Sequence, residues 1–206
     1  MDIPRIFTIT ESAHHIHNPF TPEKLATLGA ALRLEPRARV LDLGSGSGEM
    51  LCTWARDFGI TGVGIDLSQL FTEHARLRAE ELGVADRVEF IHGDAVGYVA
   101  GEKVDVAACL GATWIGGGVA GTIELLAKSL RPGGIILIGE PYWLKVPPTE
   151  DVARRCEANA ISDFLTLPDL LASFSDLNYD VVEMVLADQE GWDRYEAAKW
   201  LTMRRW

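Results

Sequence analysis

Two rhythms of apolar and polar positions alternate along the chain. Short β-branched runs bounded by Gly, Pro or charged residues are separated by stretches whose apolar residues return every three or four positions. The runs predict strands at Arg39–Leu43, Thr61–Ile65, Arg87–His92, Val104–Leu110, Ile135–Gly139 and Asp180–Ala187. A first helix is predicted from Thr21 as N-cap, Pro22 at the first helical position and Glu23 near the positive dipole end, with Leu25, Leu28 and Leu32 on one face, covering a sheet edge. Further helices are predicted at Glu49–Phe58, from Ser68 to a stop at Gly83, at Val119–Leu130 and from Trp192 to Trp206. Pro132, Gly133 and Gly134 break the backbone so that the fifth strand starts after them. Strands alternating with helices imply a doubly wound α/β architecture, a mostly parallel sheet with helices on both faces.

The 206 residues fit one domain, with residues 1–34 as an N-terminal arm and covering helix and residues 35–206 as the sheet-bearing part. No further strand follows the last helix, which predicts a truncated chain. A net charge of −11 with scattered basic residues repels a phosphate backbone, so nucleic acid is not the expected partner. No apolar run reaches the roughly 18 residues a membrane helix needs, and Met1 to Thr10 has no export-signal pattern. Three dispersed cysteines, Cys52, Cys109 and Cys156, suit a reducing compartment. The expected location is cytoplasmic.

The chemistry concentrates where the first strand runs into Gly44-Ser45-Gly46-Ser47-Gly48. Glycine is needed there because a Cβ would collide with a ligand lying across the strand ends and because the turn demands unusual φ values. A dinucleotide loop, GxGxxG, needs glycine at position 49. Glu49 stands there instead, a poor neighbour for a pyrophosphate. No GxxxxGK[ST] run occurs, so the triphosphate loop is excluded too. A nucleoside without phosphates remains. Asp66, ending the second strand about 20 residues past the first glycine, can accept from a ribose diol. Gly93-Asp94-Ala95 puts another carboxylate one strand further round, where it can accept from an adenine amino group.

Together DLGSGSGE at 42–49, GIDLS at 64–68, GDA at 93–95 and RPGG at 131–134 resemble the class I S-adenosylmethionine (SAM)-dependent methyltransferases, over about residues 35–187. The resemblance implies a Rossmann-like fold whose glycine loop, here Asp42, Gly44, Ser45 and Gly46, passes under the cofactor. It implies Asp66 as the ribose acid, Leu67 packing on adenine, Gly93, Asp94 and Ala95 at the adenine edge, and Leu110 and Gly111 near the methionine amino group. The family's sheet has seven strands with the last antiparallel, and that last strand is missing from the predicted elements. The (N/D/S)PP(Y/F) run of nucleic-acid amine methylation is replaced by Leu110-Gly111-Ala112-Thr113-Trp114.

The expected activity is therefore methyl transfer from SAM to a small-molecule acceptor by in-line displacement, needing no metal. Two alternatives stand beside it, a SAM-binding regulatory protein without catalysis and a nucleic-acid methyltransferase. Candidate acceptor-positioning groups are Glu140 and Tyr142, after the fifth strand at the ligand-binding edge, and His17 in the His-rich arm, whose proton is exchangeable near neutral pH. Each has a plain structural alternative, a strand end for Glu140 and Tyr142 and an exposed arm for His17. Trp114 is a candidate floor for an acceptor pocket beside Gly116-Gly117-Gly118, which reads as a hinge or simply a loop. Cys52 and Cys109 fall inside predicted elements and read as buried thiols.

Overall fold

A computed structural model describes residues 5–205. Its elements in chain order are α1 (Arg5–Glu11), α2 (Pro22–Ala31), β1 (Arg39–Leu43), α3 (Glu49–Phe58), β2 (Thr61–Asp66), α4 (Gln69–Glu81), β3 (Val88–His92), β4 (Val104–Leu110), α5 (Val119–Ala127), β5 (Leu130–Gly139), α6 (Glu150–Arg155), α7 (Leu167–Asp176) and α8 (Gln189–Met203). The chain forms two compact units. One runs up to Gly139 and resumes at Val185; the other is Glu140–Met184.

The first unit holds a five-stranded sheet in the order β3-β2-β1-β4-β5, with every pair parallel. The chain winds outward from β1 to β3 and then crosses back to lay β4 on the other side of β1. That reversal opens a crevice above the carboxyl ends of β1 and β4, the place where open α/β sheets take ligands. One face of the sheet is packed by Leu25 and Leu28 of α2, Leu51 and Trp54 of α3 and Ala75 and Ala79 of α4. The other is packed by Leu125 and Leu126 of α5 against Leu41, Leu43, Ala107 and Cys109. The expected doubly wound α/β class is thus what forms.

The local signals act as capping chemistry requires. Thr21 Oγ1 accepts from the Lys24 N–H and Ser68 Oγ from the Phe71 N–H, each at 3.3 Å, satisfying amides with no helical partner. Gly83 ends α4 at φ +67°, a conformation open to glycine. α2 also packs on α3, where Trp54 Nε1 donates to Leu25 O.

Other expectations are corrected. α1 was not predicted. α5 stops at Ala127, short of Leu130, because the Val104 N–H captures Ser129 O and Leu130 pairs with Val104. β5 therefore begins before Pro132-Gly133-Gly134 and carries them as an irregularity: from Val104 to Val106 the ladder advances two residues on β4 but five, from Leu130 to Ile135, on β5. Asp180–Ala187 forms no strand among the described residues. Val181, Val182, Met184 and Leu186 stay exposed, Val182 by 77%, since an apolar run without a paired neighbour gains no ladder. The C-terminal helix starts earlier than predicted, at Gln189, and Trp206 lies outside the described residues.

Within the Glu140–Met184 unit, Trp143 is the anchor. Its backbone N–H donates to Leu165 O, its Nε1 donates to Ile161 O, and its ring meets Phe164 edge-on at 5.3 Å. Glu140 and Tyr142, both half-buried, belong to this unit.

Candidate cofactor site

The glycine turn after β1 is shaped by backbone bonds to β2. The Gly44 and Ser45 N–H groups donate to Ile65 O at 2.8 and 3.1 Å, which holds Gly44, Gly46 and Gly48 at φ +78°, +52° and +73°. A Cβ on Gly44 would stand 2.8 Å from the Ala112 Cβ, and one on Gly46 3.3 Å from the His17 ring. The turn is thus pressed between β4's following loop and the N-terminal arm. Above it lies a cleft lined by Gly44 and Gly46, by Ile65 and Asp66 of β2 with Leu67 just after it, and by Ala95 after β3. Leu110, Gly111, Ala112, Trp114 and Ile115 after β4 continue the wall, and Phe7, His17 and Phe71 complete it.

Of the expected cofactor residues, the fold brings Gly44, Gly46, Asp66, Leu67, Ala95, Leu110 and Gly111 to this one cleft. Asp66 is buried and already clamps backbone: Oδ2 accepts from the Gly46 N–H and Oδ1 from the Ser68 N–H, both at 2.8 Å. Burial raises its pKa while these two bonds pull it down. Each oxygen keeps a second lone pair, so a diol can be accepted as well. Gly93 donates its N–H to Asp66 O, tying the end of β3 to β2. The Asp94 side chain is exposed, and its Oδ1 accepts from the Val96 N–H, a local turn. Ser45 is half-buried, and Gly111 donates its N–H to Gly139 O.

Asp42 lies beneath the turn, 4% exposed, and its Oδ1 has no hydrogen-bond partner. Burial, and then the charge of Asp66, push its pKa up to about 7. A buried carboxylate with an orphaned oxygen fits a ligand bearing an ammonium or sulfonium charge. No described lining residue is Lys or Arg. A pyrophosphate would meet the Asp66 carboxylate, with Asp42 buried behind the lining, and no described Lys or Arg, whereas a cationic nucleoside suits both acids. Glu49 is turned into Arg78, which donates at 2.8 and 3.0 Å.

His17 is in the cleft, not on an exposed arm. Its Nε2 is 2.9 Å from Ser47 Oγ in the glycine turn, and its ring meets Phe71 edge-on at 4.2 Å. Burial first, and the charge of His14 next, lower its pKa to about 4, so the imidazole is neutral at pH 7. Trp114 lines the cleft, half exposed. Gly117 and Gly118 form the turn into α5, and Gly116 is pressed against the Thr122 and Gly121 backbone, which describes a packed turn rather than a hinge. Sequence reading missed Phe7 and Phe71. Phe71 was legible as the third residue of a Ser68-capped helix that starts at the sheet's carboxyl edge; Phe7 sits on the helix that no pattern announced.

A family model of a methyltransferase domain matches residues 40–134. A SAM-dependent methyltransferase from Geobacter sulfurreducens, crystallised with S-adenosyl-L-homocysteine, is 84% identical with a TM-score of 0.97 over all of this chain and 82% of that one. The chain belongs to the class I SAM-dependent methyltransferases. A methyltransferase from Thiobacillus denitrificans, also crystallised with S-adenosyl-L-homocysteine, is 80% identical with a TM-score of 0.97, covering all of this chain and 83% of that one. The Escherichia coli protein YjhP is 74% identical over the whole chain and 83% of its own length. As a class I methyltransferase the chain is an enzyme, with SAM as its cofactor, and a cleft lined by Asp66 with no Lys or Arg among the described residues is consistent with that ligand. Among the described residues no helix is long and apolar enough to cross a membrane.

Proposed function

We propose that the chain methylates an uncharged small molecule in the cytoplasm. The observation that carries this reading is the lining of the cleft: Phe7, Phe71, Trp114 and Ile115 are apolar, no cation is among them, and the chain's net charge of −11 opposes a polyanion. We assign Asp66 to the ribose diol, Leu67 and Ala95 to the adenine faces, Gly93 and Asp94 to the adenine edge, and Gly44, Ser45 and Gly46 to the turn beneath the sugar and thioether. Asp42 faces the ligand's positive end, with Leu110 and Gly111 beside the amino group.

When bound, SAM supplies a sulfonium methyl: the acceptor's lone pair forms the bond to carbon, the carbon–sulfur pair passes to sulfur as neutral thioether, and the acceptor's proton departs. The protein's share is alignment and exclusion of water, which can lower the barrier by several kcal/mol. His17, kept neutral by burial and by the charge of His14 and held at Ser47 Oγ, orients rather than protonates. Glu140 and Tyr142 are assigned to acceptor positioning, Glu140 as the group that receives the proton.

The test is thermal unfolding with saturating SAM, S-adenosylhomocysteine or NADH, followed by methyl-transfer screens against small molecules, transfer RNA and protein. The adenosyl ligands alone should raise the melting temperature, by about 2.7 kcal/mol of stabilisation at 100 times the dissociation constant. Asp66→Ala should weaken their binding by one to two orders of magnitude, the size of a lost charge-assisted hydrogen bond of about 1.5 to 3 kcal/mol. Methyl transfer to RNA or protein but to no small molecule would sink the acceptor class, and unchanged turnover in Glu140→Gln, His17→Ala and Tyr142→Phe would remove their assignment.

A further inference from the structure

Behind the cleft lies a cluster of ionisable groups that methyl transfer does not use. Glu11, the last residue of α1, is fully buried. Its carboxylate lies 3.3 Å from His14 Nδ1 and 3.7 Å from Lys199 Nζ of α8. Tyr195, one turn before Lys199, stands beside it: the Lys199 ammonium is 4.3 Å from the Tyr195 ring centre and bonds Glu196 at 2.9 Å. Burying a carboxylate is costly unless it is paired, and burial does raise the pKa of Glu11 against the pull of His14 and Lys199. Folding has accepted that cost where α1 meets α8.

The cluster leads to the cofactor cleft. Tyr195 Oη donates to His17 O at 3.3 Å, and His14 Nε2 lies 3.3 Å from Tyr195 O. His17 in turn reaches Ser47 Oγ, and its ring stands over Gly46. On the other side of Glu11, α1 carries Phe7 to the same cleft, edge-on to Phe71 at 6.3 Å. Among the described residues, Phe7 and His17, which the N-terminal arm contributes to the cleft, therefore flank the point at which Glu11 of α1 is paired with Lys199 of α8.

We infer that Glu11 and Tyr195 are positioning residues of the cofactor site, latching the N-terminal arm onto α8 so that Phe7 and His17 roof the glycine turn and ligand passes only when the arm lifts. The inference rests on the reading of this cleft as the cofactor site. Neither residue touches the ligand; both act through His17 and Phe7. Loss of the latch leaves the floor, Asp42, Asp66 and the glycine turn, intact, so it speeds exchange more than it weakens affinity. Both association and dissociation should quicken because the open arm becomes the common state.

The test is rapid mixing of the full chain with S-adenosylhomocysteine, following tryptophan fluorescence, together with amide hydrogen exchange over residues 5–20. Tyr195→Phe keeps the ring against Lys199 and removes only the hydroxyl; Glu11→Gln keeps the shape and removes the charge. Each should raise the dissociation rate about tenfold while changing the dissociation constant less, and each should lower amide protection of residues 5–20 in the liganded protein. Asp66→Ala should instead raise the dissociation constant without loosening the arm. If wild type binds no S-adenosylhomocysteine, the cleft reading itself falls. If it binds, Asp66→Ala weakens it, and both latch variants release ligand at the wild-type rate, the latch is wrong, even should their melting temperatures drop. Should Glu11→Gln fail to fold, Tyr195→Phe alone decides.

Discussion

β1 and β5 are written in similar apolar letters, yet one is buried and the other is not. From Val40 to Leu43 every residue of β1 is buried, with β2 on one side, β4 on the other and helices above and below. The Ile135–Ile138 run of β5 pairs, among the described residues, with β4 alone and stays half-exposed, although Ile135 and Leu137 face one core and Ile136 and Ile138 the other. The segment 180–187 carries the contrast to its end: the same kind of run, with no ladder among the described residues, Val181 and Val182 in solvent and only Val185 packed against the core. Apolar letters state a capacity for burial, and neighbours decide how much of it is realised.

The glycines sharpen the comparison most. Gly48, at the end of the β1 turn, and Gly133, in β5, both have φ near +75°. A Cβ on Gly48 would lie 2.6 Å from Phe90 Cζ and 2.7 Å from Ala75 Cβ, whereas one on Gly133 would meet nothing within 4 Å. Both substitutions pay the left-handed strain of about 1–2 kcal/mol, and only Gly48→Ala adds about 1–3 kcal/mol of overpacking. Gly48→Ala should therefore lower unfolding stability by about 2–5 kcal/mol and Gly133→Ala by about 1–2, read from urea midpoints. Equal losses would mean that the β1 turn is no tighter than the β5 edge.

Truncation in the strands themselves comes next. Leu41, 1% exposed at the centre of the sheet, should cost about 2–5 kcal/mol on change to alanine. Ile136→Ala, on half-exposed β5, should cost roughly half as much, because part of its surface already faces water. A larger loss at Ile136 in the same urea titration would show β5 to be more fully covered in solution than its one paired edge allows.

The same contrast explains what was legible in the sequence. Four of the six predicted strands agree to within a residue, and the helices at Glu49–Phe58 and after Ser68 stand where predicted, the second because its Ser68 cap and Gly83 stop pointed the same way. The cleft was legible for a related reason: its floor is a strand end, a glycine turn and an acid at fixed spacing. Its roof was not. Phe7 and His17 reach the cleft from an arm whose partner helix is about 180 residues away, and separation on that scale leaves no local pattern. The strand expected at 180–187 failed through the opposite error, a local pattern with no neighbour to pair with.

The smallest effect concerns protons, and it sets the floor of the cleft against its roof. Asp42, pushed to about 7 from an ordinary 3.8, keeps a proton in the folded state that the unfolded chain has released, so its contribution is full below about pH 4 and is lost as pH rises through 7. His17, lowered to about 4 from 6.5, refuses a proton that the unfolded chain accepts, so its contribution is full above pH 6.5 and is lost as pH falls towards 4. Between pH 5 and 6.5 the two slopes oppose each other, and wild type should vary less than either variant. Asp42→Asn should lose melting temperature relative to wild type on going from pH 6.5 to 5, and His17→Gln should gain it. A shift of the same sign in both would show that one of these groups titrates in the fold much as it does in the unfolded chain. A bound cation above Asp42 would favour its charged form, so S-adenosylmethionine should release a proton on binding near pH 6.5 in wild type and not in Asp42→Asn, which calorimetry in buffers of different ionisation enthalpy would read.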